Sequence, residues 1–284
     1  QNMKILLVRL SSMGDLIHTL PAVEDLARQC PEVELHWLCE AGFADIARLH
    51  PFVKKVHVMK WRQWRKHLFQ SETWCEIGRL KTDLQAESFD FVLDSQGLIK
   101  SACFAKMAKS PIYGLDKYSA RESLAALVYS KTFAVPKGKN AVWRNRELFA
   151  QVLNAVWRNR ELFAQVFGYT MPETQVFGLS VPESGRLKNL QFPYSFASVC
   201  DKMNLLQAAF LLKNAEGIIG VDTGLLHLAN ALEKPVVGIY TDTDPAKTGV
   251  QVSAYAKNLG GIAQIPNVDE VYQTMTDCVA AYGK

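Results

Sequence analysis

The sequence has no closely spaced cysteine pair of the CxxC type, although it contains six cysteines among its 284 residues. Most of them lie in apolar or helical runs, which is typical of buried free thiols and of a protein from a reducing compartment. The six are Cys30, Cys39, Cys75, Cys103, Cys200 and Cys278. We therefore expect a fold without disulfide bonds.

Long hydrophobic runs and a strong charge of one sign are also missing. No apolar stretch reaches the roughly 18 residues of a membrane-spanning helix, and the first residues do not resemble a signal peptide. The net charge of +4 is too small to indicate nucleic-acid binding by itself. With 49% apolar and 21% charged residues, the composition predicts a soluble globular protein of one large or two medium domains.

Strand and helix patterns alternate along the chain, which predicts an α/β fold with parallel sheets. Pro21 interrupts the first helical stretch, so that helix is either kinked or begins late. Strands are expected at 3–10, 33–39, 54–59, 89–94, 195–199, 217–221 and 235–240, and helices at 98–108, 204–215, 223–232 and 268–282. A segment with prolines and glycine at 167–189 is the natural linker between domains at 1–170 and 171–284.

One block of the sequence is repeated letter for letter. Residues 140–152 recur at 154–166, an offset of 14 residues. Because this offset is about four helical turns, both copies can share one face of a long helix. In an otherwise non-repetitive chain, an identical block is more typical of an artificial duplication than of an evolved repeat.

The first candidate for chemistry is the SSMGD loop after the first strand, with Ser12, Gly14 and Asp15. Ligands of open α/β sheets bind outside the carboxyl ends of the strands, which is where this loop lies. It is neither the GxGxxG of nicotinamide-binding proteins nor a phosphate loop with lysine. Asp15 is either a group of the active site or an ordinary helix cap.

The second candidate is the VDTGLLH segment at 221–227, where a strand ends and a helix begins at once. Free amides at a helix N-terminus bind phosphate, and a glycine lets a diphosphate approach the backbone. Thr223 and His227 are four residues apart and share a helix face. The alternative is an ordinary N-cap followed by a histidine that only packs.

The remaining candidates are basic or polar segments. No acidic residue occurs between Ile46 and Ser71, while Arg48, Lys54, Lys55, Lys60, Arg62, Arg65 and Lys66 do, beside Trp61 and Trp64. This tract suits an anionic ligand or membrane surface, or else is a solvated loop.

Lys100 after the strand at 89–94, and Arg121, are further candidate cations. The TDTDP turn at 241–245 resembles a DxD metal site, but capping of a turn before proline explains it better.

Together these segments resemble the ADP-heptose–lipopolysaccharide heptosyltransferases of type I. The matching stretches are 11–22, 61–66, 93–102, 120–122, 221–232 and 243–245, which span nearly the whole chain in the family's order. The resemblance implies an α/β fold of GT-B type, with two Rossmann-like domains and a cleft between them. It also implies an inverting transfer of heptose from ADP-heptose to Kdo on the lipid A core precursor, at the cytoplasmic face of the inner membrane.

The resemblance also implies roles for individual residues. Asp15 is the expected general base, and no metal or other cofactor is expected. The donor pocket is expected to contain Asp222, Thr223, Gly224, Leu225 and His227. The acceptor is expected to contact Ser12, Gly14, Arg62, Arg65, Lys66, Lys100 and Arg121, with peripheral contact to the membrane and no nucleic-acid partner.

The chain departs from the family's pattern after Val199. Family members carry there a threonine-rich loop with a lysine that grips the donor diphosphate, then a helix with Trp-Pro and further strands. Here Cys200 follows Val199 directly, so the C-terminal domain is expected to lack that segment and to expose core surface. The alternatives are a type II heptosyltransferase with a heptose acceptor, a sugar-nucleotide epimerase, or an inactive ADP-sugar-binding protein.

Overall fold

The computed structural model describes residues 3–159, 171–183, 200 and 202–283. By the density of its internal contacts the chain divides into two units, Gln1–Gly178 and Leu179–Lys284. The boundary expected from the sequence, after residue 170, lies outside the described residues. So do the strand candidate at 195–199 and the two ends of the linker candidate, 167–170 and 184–189.

The first unit is built on a parallel sheet of six strands. They are β1 (Lys4–Val8), β2 (Glu34–Glu40), β3 (Val53–Met59), β4 (Phe91–Asp94), β5 (Ile112–Leu115) and β6 (Lys131–Phe133), in the order β3-β2-β1-β4-β5-β6. Leu6, Leu7 and Val8 are completely buried, because helices cover both faces of such a sheet. The strand order reverses between β1 and β4, which is the position where doubly wound sheets bind ligands.

Helices flank this sheet. They are α1 (Met13–Ile17), α2 (Leu20–Gln29), α3 (Ala44–Arg48), α4 (Trp61–Trp64), α5 (Ser71–Ala86), α6 (Ile99–Lys106) and α7 (Ala141–Asn159), with 3₁₀ turns at Ala41–Phe43 and Ser123–Val128. Pro21 is the second residue of α2, where its missing N–H breaks no helical hydrogen bond. The first helical stretch is therefore two helices rather than one kinked helix.

The duplicated block begins α7. This helix includes all but the first residue of the copy at 140–152 and continues into the second copy as far as Asn159; residues 160–166 lie outside the described set. Leu148, Phe149 and Val152 are buried at helical spacing, so one stripe of α7 packs on the unit. Burying a side chain such as Phe149 contributes roughly 1.5–3 kcal/mol.

The second unit contains a smaller parallel sheet in the order β7-β8-β9. Its elements are α8 (Leu205–Asn214), β7 (Ile218–Val221), α9 (Gly224–Ala231), β8 (Val236–Tyr240), α10 (Pro245–Thr248), β9 (Ala256–Gly260) and α11 (Val268–Tyr282). Ile219 and Val221 on β7 are 50% and 58% exposed. A strand of that apolar composition is usually buried, so its exposure agrees with the exposed core surface expected in this domain from the sequence.

The cysteines only partly follow the expectation from the sequence. All six are free thiols, as expected, but Cys75 and Cys103 are exposed and Cys200 is half-buried. Cys75 and Cys103 lie on the outer faces of α5 and α6, where helical periodicity alone did not distinguish the two faces. Within the described residues, no helix is both long and apolar enough to cross a bilayer.

Candidate active site

The carboxylate of Asp15 lies just beyond the carboxyl end of β1, in the first turn of α1. Its Oδ2 atom accepts hydrogen bonds from the backbone amide of Ser12 at 2.9 Å and from the Ser12 hydroxyl at 3.1 Å. Asp15 therefore does cap α1, but its side chain also lines a cavity. The two interpretations that the sequence left open are compatible.

Asp94, the last residue of β4, is buried and organises the loop that follows it. Its carboxylate accepts hydrogen bonds from the hydroxyls of Tyr129 and Ser101, both at 2.7 Å. The backbone amide of Gln96 donates to it at 2.9 Å. Ser101 in turn accepts from the amide of Leu98 at the start of α6. Asp94 and Ser101 thus hold a capped helix start.

The loops after β1 and β4 are joined directly. The backbone amide of Leu10 donates to Oε1 of Gln96 at 2.6 Å. Gly97 has a φ of +67°, and a Cβ there would lie 3.2 Å from Cα of Ala120. Only glycine readily allows both this conformation and this approach, so the 94–97 loop and the loop containing Arg121 lie side by side.

A cavity of about 100 Å³ lies between these loops and α7. Its charged lining consists of one carboxylate, Asp15, and three guanidinium groups, those of Arg9, Arg121 and Arg144. Nη1 of Arg121 lies 4.0 Å from Oδ2 of Asp15. The remaining lining residues are Ser95, Gln96, Leu115, Ser119, Ala141, Asn145 and Leu148. The cavity therefore combines a base with an excess of positive charge.

The charges in this cavity determine the state of Asp15. Burial raises the pKa of Asp15, but the Arg9 guanidinium, the hydrogen bonds from Ser12 and the charge of Arg121 together bring it below its usual range. The carboxylate is therefore ionised at neutral pH and able to accept a proton. Burial in turn lowers the pKa of Arg9, although an arginine stays charged in proteins.

Three buried polar atoms of the lining residues have no hydrogen-bond partner among the described residues: Nε of Arg9, Nε of Arg144 and Oγ of Ser95. Buried polar groups are rarely left unpaired. Guanidinium N–H groups with free donors bind carboxylates and phosphates strongly. The arrangement can therefore hold an anionic ligand while Asp15 takes a proton from a neighbouring hydroxyl.

Sequence analysis identified Asp15, Ser12 and Arg121 but missed Arg9, Arg144 and Asn145. Arg9 carried a signal, since it is a charged residue that follows the apolar run Ile5–Val8. Its Nη2 donates to Oδ1 of Asn145 at 2.6 Å. Nη2 of Arg144 donates to the carbonyl of Ser119 at 2.7 Å, which fixes the second arginine against the cavity wall.

The basic tract is divided by its ion pairs. Arg48 pairs with Asp45, Lys55 with Glu87 and Lys60 with Glu76. Among the described acidic residues, none pairs with Arg62, Arg65 or Lys66. The guanidinium of Arg62 lies over the ring of Phe43, and its amide donates to Glu40. Arg65 and Lys66 are exposed.

The expected acceptor residues are thus not all in one place. Arg62, Arg65, Lys66 and the half-buried Lys100 on α6 do not line the cavity that contains Asp15. Gly14 is the second residue of α1, next to Asp15. Arg121 lies near Asp15 and does not pair with its neighbour Glu122, which accepts from the amide of Ile99 at 2.6 Å.

In the second unit, Asp222 links the loops after β7 and β8. Its Oδ2 accepts hydrogen bonds from the hydroxyls of Thr243 at 2.7 Å and Thr248 at 2.9 Å. Its Oδ1 lies 3.4 Å from Nε2 of the buried His227. Asp222 thus links the 241–248 segment to His227 on α9. Sequence spacing did not predict this link.

The N-terminus of α9 is open to a ligand. Thr223 is its N-cap residue, but the Thr223 side chain makes no capping hydrogen bond. Thr223 and Leu225 are exposed and Gly224 is half-buried. The first amides of this helix can therefore donate to an anion.

The DxD-like turn behaves as expected of a capped turn. Asp244 is the N-cap of α10 and accepts from the amide of Ala246 at 3.0 Å. Asp242 is exposed and hydrogen-bonded to the neighbouring Thr241. Within the described residues, a different group is close enough to share a metal ion, namely His36, His57 and Glu87. Glu87 already pairs there with Lys4 and Lys55.

Comparison with known proteins gives consistent matches. The model of glycosyltransferase family 9 (heptosyltransferase) matches residues 77–155 and 183–279. Lipopolysaccharide heptosyltransferase 1 of Pseudomonas aeruginosa is 35% identical over 287 residues, covering 87% of this chain and 81% of that protein. The protein of the same name from Escherichia coli K12 is 34% identical over 311 residues, covering 90% and 92%.

A solved structure agrees with these sequence matches. The structure of E. coli heptosyltransferase WaaC with ADP has a TM-score of 0.83 and 28% identity, and the match covers 97% of this chain and all of that one. The expected α/β fold of GT-B type is confirmed by this likeness and by the two parallel sheets.

Proposed function

Since the chain belongs to glycosyltransferase family 9, the heptosyltransferases, we propose that it transfers L-glycero-D-manno-heptose from ADP-heptose to Kdo of the lipopolysaccharide inner core. The relatives at 35% and 34% identity are both named heptosyltransferase 1, which favours the type I reaction over type II. The transfer inverts the configuration of the anomeric carbon.

The observation that carries the proposal is the carboxylate of Asp15 among the guanidinium groups of Arg9, Arg121 and Arg144. Kdo has a carboxylate close to its hydroxyl groups. An acceptor of this kind needs both a base for the hydroxyl and cations for the acid group, and such hydrogen bonds are charge-assisted. A neutral heptose acceptor would leave the unpaired guanidinium atoms of this cavity without a counter-ion.

The reaction requires one proton transfer and one displacement. Asp15 removes the proton from the acceptor hydroxyl as its oxygen forms a bond to the anomeric carbon of heptose. The bond from that carbon to the β-phosphate oxygen breaks, and its electron pair leaves with ADP. The transition state has oxocarbenium character at the sugar, and negative charge grows on the departing diphosphate.

The donor is assigned to the second unit. The exposed amides at the start of α9, after Thr223, stabilise the charge that grows on the diphosphate. Gly224 permits close approach of the diphosphate to the backbone. Leu225 forms the exposed apolar surface next to it. Asp222 and His227 hold this helix start against the 241–248 segment. No metal ion is assigned a role, because Asp244 caps α10.

We assign the Arg62, Arg65, Lys66 and Lys100 side chains to the phosphates of the lipid-linked acceptor. Lipid A is embedded in a bilayer, so the enzyme works as a peripheral protein at the cytoplasmic face of the inner membrane. Cationic residues near such a surface favour binding to it.

The test is transfer of heptose from ADP-heptose to Kdo-lipid A, followed by mass spectrometry of the product. We compare the parent protein with Asp15→Asn, which keeps the shape of the side chain but cannot accept the proton. The rate is expected to fall by about 10² or more, the range for loss of a general base. Asp45→Asn is the matched control, because Asp45 is a surface carboxylate paired with Arg48.

The acceptor is tested separately with Kdo-lipid A whose Kdo carboxyl groups are reduced to alcohols. The parent is expected to use this acceptor poorly, with KM raised more than kcat is lowered. Equal use of both acceptors would contradict the role of the guanidinium groups. Transfer only to a heptosylated acceptor would indicate a type II enzyme, and binding of ADP-heptose without transfer would indicate an inactive donor-binding protein.

A further inference from the structure

The turn between α4 and α5, together with the first turn of α5, carries large apolar side chains in an exposed position. Phe69 is fully exposed, Trp74 is 58% exposed and Leu68 is 38% exposed. We call these three residues the apolar tip. Single exposed apolar residues are common, but three large ones so close in sequence indicate an interaction surface.

The apolar tip is held in place by its neighbours. Trp64 at the end of α4 is buried, stacks on Phe104 and donates from Nε1 to Glu76 at 2.6 Å. Nε1 of Trp74 donates to the carbonyl of Leu68 at 2.8 Å, which ties the turn to α5. The surrounding contacts thus fix a short turn whose apolar side chains point away from the core.

Positive charge borders the apolar tip. Arg62, Arg65 and Lys66, which we call the basic flank, are exposed and paired with none of the described acidic residues. Glu76 is engaged by Lys60 and Trp64, so Glu72 is the exposed carboxylate that opposes them nearby. Three cations against one carboxylate favour an anionic surface.

We propose that the apolar tip inserts into the headgroup region of a bilayer while the basic flank binds the phosphate groups of the anionic lipids at that surface, those of the lipid-linked acceptor included. Aromatic rings favour the membrane interface, where one side of the ring is apolar and the other contacts water. A few apolar groups combined with basic residues give reversible binding to an anionic bilayer without spanning it. The inference rests on the proposed function, since a lipid-linked acceptor lies in such a surface.

The test is sedimentation of the full chain with vesicles, in the absence of donor and acceptor. Vesicles of phosphatidylcholine mixed with phosphatidylglycerol are compared with pure phosphatidylcholine at two salt concentrations. The parent is expected to bind the mixed vesicles, less so at high salt, and to bind pure phosphatidylcholine weakly. The double variant Leu68→Ser, Phe69→Ser is expected to bind the mixed vesicles at least about tenfold more weakly. The reason is that it lacks the two apolar side chains that would move from water into the bilayer.

Val268→Ser is the matched control. Val268 is 83% exposed, but its neighbours in the first turn of α11 are the acidic Asp269 and Glu270. It is expected to bind vesicles like the parent. Binding by the double variant equal to that of the parent overturns the proposal, and so does a change in its oligomeric state without a change in vesicle binding.

Transfer assays separate this proposal from the function it rests on. The double variant is expected to transfer heptose to a water-soluble, deacylated Kdo acceptor as fast as the parent, but to act slowly on Kdo-lipid A in vesicles. Equal loss on both acceptors overturns the membrane role. Vesicle binding by a parent protein that transfers heptose to neither acceptor contradicts the proposed function but supports the surface.

Discussion

The guanidinium of Arg9 donates a 2.6 Å hydrogen bond to Oδ1 of Asn145, a residue 136 positions away in the chain. The amide of Asn145 cannot turn, because its Nδ2 donates to the carbonyls of His18 and Ala141. Asn145 therefore connects α7 to Arg9, just beyond the end of β1, and to His18 at the C-terminus of α1, the helix whose first turn contains Asp15. One side chain thus contacts both the guanidinium of Arg9 and the helix that contains Asp15.

Asn145→Ala is expected to lower kcat/KM about tenfold, because Arg9 loses the partner that orients it. Its free energy of unfolding should fall by about 1–3 kcal/mol, the cost of leaving a buried donor unpaired. The measurements are steady-state transfer kinetics and urea unfolding. Gln151→Ala is the control, since it removes from the same helix a half-buried amide that donates to Ala134 and Glu147 and does not line the cavity. An equal loss of activity in both variants would contradict a specific role for Asn145.

The pH dependence tests the electrostatic role of Arg9. Burial alone raises the pKa of Asp15, and the charge of Arg9 is the largest influence that lowers it. In Arg9→Met the pKa of Asp15 should therefore rise, and the acid limb of the kcat/KM profile should move to higher pH. Arg9→Lys retains the charge and should keep the limb near that of the parent. A limb in the same position in Arg9→Met and the parent would show that Arg9 does not control Asp15.

The strands of the first unit illustrate what the sequence could predict. β1 and β2 are strands buried on both faces, whereas β3 exposes Lys54 and Lys55; all three were predicted within a few residues. β6 was missed because it has only three residues, of which Phe133 alone is apolar, and the four-residue β5 was missed as well. α5 was missed because it buries only Thr73, Leu80 and Leu84 over 16 residues, too sparse a stripe to show a helical period.

The candidate site was only partly predictable for a different reason. Arg144 and Asn145 occur in the duplicated block, so the sequence repeats them identically as Arg158 and Asn159. Nothing in the letters shows which copy lines the cavity. Only tertiary packing of α7 against the loops after β1 and β4 assigns this role to the first copy.

Tyr129→Phe tests the buried network around Asp94. Its hydroxyl donates to the Asp94 carboxylate at 2.7 Å, and both side chains are buried. Loss of this charge-assisted hydrogen bond should lower the free energy of unfolding by about 1.5–3 kcal/mol, measured in urea. Tyr118→Phe is the control, because the ring of Tyr118 is exposed. A variant as stable as the parent would mean that the hydroxyl contributes nothing to holding Asp94.

Asp222→Ala tests the donor site in the second unit. Without its carboxylate, the hydroxyls of Thr243 and Thr248 lose their acceptor and the 241–248 segment loosens beside α9. The Kd for ADP, measured by calorimetry, should rise about tenfold, in line with the loss of one or two hydrogen bonds. The matched control is Asp242→Ala, which removes an exposed carboxylate from the 241–248 segment itself. If Asp242→Ala weakens ADP binding as much, the DxD-like pair has a role that the structure does not assign to it.

Acidification should destabilise the protein through the buried His57 and the nearby Glu87. Burial, with the charges of His36 and Lys55, lowers the pKa of His57 to about 4. The hydrogen bond from Lys55, supported by Lys4 and opposed by burial, lowers the pKa of Glu87 to about 2. Both values lie below those of the unfolded chain, about 6.5 for histidine and 4.3 for glutamate. Their contributions are therefore complete above those unfolded values and are lost as pH falls through the folded ones.

The melting temperature, followed by calorimetry, should thus begin to fall below about pH 6.5 and fall further below about pH 4.3, as each group starts to bind more protons in the unfolded chain. Glu87→Gln should melt lower than the parent at neutral pH, because Lys4 and Lys55 lose their carboxylate partner. It should also lose less stability over the more acidic part of the range, since the titrating group is gone. Glu72→Gln, which changes an exposed glutamate at the start of α5, should follow the parent throughout. Parallel curves for Glu87→Gln and the parent would place the acid sensitivity elsewhere in the fold.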